Sequence, residues 1–238
     1  MRRLIYVPMI HSEKVTPSTL ATSGFSLNID PELARRFWQI VTDAVANLDI
    51  PVERIFFEGF TQDVPQKTLA ALLAETDEGL PEHKTVKELI KKGATLEQTE
   101  DRLLQVEISR TLKELGEGFQ YFNRELDKMG DEVETITEED VEVTRRYIQA
   151  IEEFEAINAR RDEYVARRIT DTLGDGETGI LFMGASHDII SKLPGADIQV
   201  EPLDERLREF DEQFRELIKR GTPEGFIDFV IKGLERER

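Results

Sequence analysis

Short apolar runs set among stretches of helical spacing constrain this chain more than any other feature of its sequence. LIYVPMI (residues 4–10), ERIFFEGF (53–60), GILFMG (179–184) and ADIQVEPL (196–203) have the length and the β-branched or aromatic content of strands. Between the first two lies PELARRFWQIVTDAVANL (31–48), opened by Asp30 as cap and Pro31 at the first helical position. The alternation predicts an α/β fold: a mostly parallel sheet of about four or more strands, flanked by helices on both faces. Pro8 within the first run removes one backbone donor, which predicts an edge position or a bulge near that strand's end.

From about 64 to 173 the pattern is almost entirely helical, which predicts a long insertion within a single α/β domain covering 1–238. PQKTLAALLAET (65–76) is one helix and PEHKTVKELIKKG (81–93) a second, with Gly93 as its stop. TLEQTEDRLLQVEISRTLKEL starts at Thr95, whose spacing to Gln98 reads as a capping box, and its helix is expected to run to Lys128. The next helix is capped at Thr137, carries Asp140 in its first turn and reaches Leu173. Together, 95–173 predict an antiparallel helical hairpin projecting from the sheet. After the third run a short helix is expected near Asp188, and two more over 204–220 and 223–236. The loop between the first strand and first helix (11–29) is long for a compact domain, which makes it a candidate for function.

Composition narrows the chemistry. There is no cysteine, so disulfides, zinc–thiolate sites and cysteine nucleophiles are excluded. A formal charge of −18 argues against a nucleic-acid backbone as partner, because affinity there comes from lysine and arginine displacing counterions. No apolar segment approaches the roughly 20 residues of a membrane helix, so neither membrane nor signal peptide is expected and the chain reads as cytoplasmic. GDGETG (174–179) precedes a strand instead of opening a helix, and no glycine-rich loop leads into a lysine, so nucleotide phosphates have no cradle. Ser12 and Ser186 adjoin histidines, but no nucleophile-elbow pattern is present.

In open parallel sheets ligands gather beyond the carboxyl ends of the strands. Three titratable residues fall there: His11 after the first run, Glu58 at the end of the second, and His187 after the third. Two imidazoles and a carboxylate can hold a divalent metal, such as zinc or manganese, or share acid–base work without one. His83, in a polar helix start, is expected at the surface.

GASH (184–187) after an apolar strand resembles the second glycine-x-x-histidine motif of the TraB/TIKI superfamily, which also takes in erythromycin esterase-like and ChaN-like proteins. Upstream, ARRDEYVARRITDTL (159–173) is similar to that family's helix, with its arginine on Arg161, the polar neighbour on Asp162, and an apolar–alanine pair on Val165 and Ala166. By the same resemblance the family's glutamate falls on Glu58 and its first histidine on His11. The chain departs from the pattern at Pro8, where the family has glycine three residues before that histidine.

The resemblance implies a metal-assisted hydrolase of amide or ester bonds, with a peptide or small molecule as substrate. His11, His187 and Glu58 would be metal ligands for manganese, zinc or cobalt, with Glu58 alternatively taking a proton from water. Arg161 would pair with Glu58 or stabilise an oxyanion, and Tyr164, one turn along the same face, would donate a hydrogen bond. A non-catalytic protein of the same fold that binds a metal or other ligand is the alternative, as in ChaN-like relatives that bind haem iron. A third reading is an assembly module in which the long helices pair between subunits as a homo-oligomer.

Overall fold

β1 (Arg2–Met9) lies near the middle of a five-stranded sheet ordered β3-β2-β4-β1-β5, in which every pairing is parallel. The other strands are β2 (Arg54–Phe57), β3 (Thr95–Glu97), β4 (Thr178–Gly184) and β5 (Ile198–Pro202). Among the described residues, the helices are α1 (Pro31–Ala46), α2 (Pro81–Lys91), α3 (Arg102–Met129) and α4 (Glu138–Thr172). This computed structural model describes residues 1–9, 31–61, 81–129, 137–184, 187–195 and 197–207. The loop over 11–29, the expected helix at 65–76, the expected helix over 204–220 from 208 onward and that over 223–236 therefore lie outside the described residues. Among the described residues, no helix is long and apolar enough to cross a membrane.

The α/β architecture follows from burial on both faces of the sheet. All seven residues of β4 are buried, which is why TGILFMG reads as a continuous apolar run and not as an alternation. Leu4, Phe56, Leu181 and Met183 point to one face, where they pack against Val165, Ala166 and Ile169 of α4 and Leu173 just past its end. Their neighbours Ile5, Val7, Ile55, Phe57, Ile180 and Phe182 alternate to the other face and are also buried. Phe57 and Phe182 meet there, 5.7 Å between ring centroids. Parallel crossovers are right-handed, so the direction of travel along the sheet decides which face each helix covers. The chain moves one way through β1, β2 and β3, with α1 and α2 packed together, then reverses through β4 and β5. β4 is thus flanked on both sides by strands whose connections leave over the opposite face, the arrangement that opens a crevice at the carboxyl ends.

Pro8 fits a strand that is central for most of its length. The ladder to β5 ends where Tyr6 faces Pro202, while pairing to β4 continues to Met9. Arg3 donates its N–H to Glu177 on the β4 side, and the Tyr6 carbonyl accepts from Leu203 on the β5 side. Backbone polarity alternates, so the donor missing from Pro8 is on the β5 side, beyond the end of that ladder.

Two expectations are corrected. The stretch at Thr95 is not the start of a helix: Thr95, Leu96 and Glu97 pair with Arg54, Ile55 and Phe56 as the edge strand β3. The helical insertion is therefore interrupted, and α3 starts at Arg102, with Asp101 accepting the N–H groups of Leu103 and Leu104. The short helix near Asp188 is a single 3₁₀ turn, Ile190–Lys192. Elsewhere the termini agree: Gly93 closes α2 at φ +108°, and Thr137 and Asp140 bond reciprocally at the start of α4. His83 is half-buried on α2, not at the open surface.

The described residues divide into two compact units. The first takes in 1–9, 31–61, 81–105, 159–184, 187–195 and 197–207, and holds the sheet. The second takes in 106–129 and 137–158, an antiparallel pair of helical segments with Leu115, Val143, Tyr147 and Ala150 at its core. Gly118 permits that packing, since a Cβ there would lie 2.5 Å from Cδ2 of Tyr147.

Candidate functional site

Four chain segments bring charged side chains to the carboxyl rim of the sheet. Glu58 follows β2 directly and still takes part in pairing, donating its N–H to the Phe182 carbonyl at 3.1 Å. The positive φ of Gly59 then turns the chain, so that the Phe60 carbonyl accepts from both Thr99 (2.9 Å) and Glu100 (2.8 Å). That lacing fixes Glu100 beside the end of β2. Three residues past β4, the His187 N–H donates to the Gly184 carbonyl at 3.1 Å. Arg161 and Asp162 are consecutive on α4, so they leave the helix about 100° apart and serve different partners.

Arg161 grips Glu100 with two bonds, Nε to Oε2 at 3.1 Å and one terminal nitrogen to Oε1 at 2.6 Å. The same terminal nitrogen lies 3.7 Å from Glu58 Oε1. Asp162 holds the other half of the site: Oδ1 is 2.5 Å from His187 Nδ1, and Oδ2 accepts the Asp188 N–H at 2.8 Å. His187 Nε2 then faces Glu58 Oε1 at 3.4 Å. The second Glu58 oxygen accepts the Gly184 N–H at 2.8 Å. Gly184 therefore serves clearance, not backbone conformation: a Cβ would sit 3.1 Å from that oxygen, and its φ is not among the positive ones. Together these contacts link Glu100, Arg161, Glu58, His187 and Asp162 in one chain of charges. All but Glu58 are buried.

Burial pulls against charge on His187, and the nearby Arg161 adds to that pull. The hydrogen bond to Asp162 and the bond and charge of Glu58 outweigh both, pushing the imidazole up to about 9. Burial likewise opposes the Arg161 charge, and Glu100 foremost, then Glu58 and Asp162, reverse the balance and raise it. Among the described residues, three carboxylates and two cationic side chains meet here.

Of the residues singled out in the sequence, Glu58, Arg161 and His187 come together here. Tyr164 is half-buried on α4, one turn past Arg161. His11 lies outside the described residues. Among the described residues, histidine, aspartate and glutamate side chains do not assemble a complete metal-ligand set. His187 Nε2, once it has lost its proton, and Glu58 Oε1 are two ligand atoms that face one another. Glu100 was not anticipated, because its strand was read as helix; its signal was position, three residues past a strand end. Asp162 was legible only as the neighbour of Arg161 in the family-like motif. No family model matches this chain, and neither does any curated protein or solved structure.

Proposed function

We propose that the chain is a metal-assisted hydrolase of amide or ester bonds, with its reacting centre at Glu58 and His187, in line with the resemblance to the TraB/TIKI superfamily. The observation that supports it is the orientation of one imidazole. Asp162 occupies Nδ1, which leaves Nε2 directed at Glu58 Oε1, 3.4 Å away. Two donors bound about 2.1 Å from one tetrahedral ion lie about 3.4 Å apart, so the pair fits adjacent ligand positions. A carboxylate behind a ligating histidine is the usual means of fixing its tautomer. His11 is the residue proposed to complete the set.

A divalent ion there, manganese, zinc or cobalt, would polarise the scissile carbonyl and make water acidic. In the net reaction the water oxygen joins the carbonyl carbon and the bond to nitrogen or oxygen breaks. The new carboxyl group and the leaving amine or alcohol share the protons. The chain's own residues prepare that chemistry. Asp162 sets the imidazole, the Gly184 N–H steadies Glu58, and Arg161 adds positive potential where an oxyanion would develop. A peptide or small molecule is the substrate class proposed, and nucleic acid is not. The commitment of Arg161 to Glu100 favours one second reading, a protein that holds a cation without turnover.

One experiment tests both. Metal-free protein is titrated calorimetrically with Mn²⁺, Zn²⁺ and Co²⁺, then screened against ester and peptide substrates with the ion bound. The hydrolase reading expects stoichiometric binding that His187→Gln abolishes, and turnover that requires the ion. Binding without turnover selects the second reading. Wild type that neither binds nor turns over refutes both.

A further inference from the structure

We draw no further inference here: the strongest candidate, the groove between α3 and α4 lined by Glu114, Glu117, Tyr121, Glu139 and Tyr147, is an acidic cluster for which nothing among the described residues shows what would occupy it.

Discussion

Stability of the metal-free protein should fall with rising pH because of a single histidine. His187 is 7 % exposed and faces Asp162 on Nδ1, Glu58 on Nε2 and the Arg161 charge nearby. Its folded-state value, about 9, stands above the 6.5 of an unfolded histidine. The native state therefore binds the proton more tightly, and the resulting stabilisation is complete below pH 6.5 and lost as pH rises through about 9. At about 1.4 kcal/mol per pH unit, that interval is worth about 3 kcal/mol. In urea, with a slope of about 2–3 kcal/mol/M, the unfolding midpoint should drop by about 1 M across the window. Trp38 is the chain's single tryptophan, 1 % exposed on α1 in the same unit as His187, so its fluorescence reports the relevant transition. EDTA is kept present to exclude metal ions. Wild type is compared with His187→Gln, and the difference in slope isolates this group from others that titrate nearby. Asp162→Asn, which removes the strongest partner, should start the decline at lower pH and shrink it. Parallel pH curves for wild type and His187→Gln between 6.5 and 9.5 would refute the account of His187 as a buried, protonated link.

Two further substitutions test the second unit. Gly118→Ala places a methyl 2.5 Å from Cδ2 and 3.2 Å from Cγ of Tyr147, a buried ring. Overpacking costs about 1–3 kcal/mol and exceeds the roughly 1 kcal/mol that alanine returns in helix propensity, so amide exchange in α3 and α4 should speed up. In a Tyr147→Ala background the same change should become neutral or stabilising. Thr137→Ala removes the reciprocal bonds with Asp140 and should cost about 1 kcal/mol, seen as faster exchange confined to the first turn of α4.

How much of this was legible depended on local signal. GILFMG declares itself because every side chain of β4 is buried, and apolar runs of that length have few other homes. Three-residue β3 has no such signature: TLE is a strand only because Arg54, Ile55 and Phe56 pair with it. Glu100 disappeared with it, since a rim position means nothing until the strand beneath is recognised. Glu58 and His187 were found by that logic, sitting one and three residues past strands that were recognised. Arg161 was different. ARRDEYVARR holds several arginines, and spacing could not select the one buried against Glu100; the family resemblance did. Strand order was not readable at all, because nothing in the residues of β4 says that they insert between β2 and β1.

That insertion has a consequence for how the chain is made. On the ribosome β1, β2 and β3 emerge in turn, but β1 and β2 cannot bond to each other, since β4 separates them in the finished sheet. Until the segment ending at Gly184 leaves the exit tunnel, β1 lacks both of its sheet neighbours, β4 and β5. Closure is consequently a late, long-range event, and the interval before it is when this chain is most exposed to aggregation.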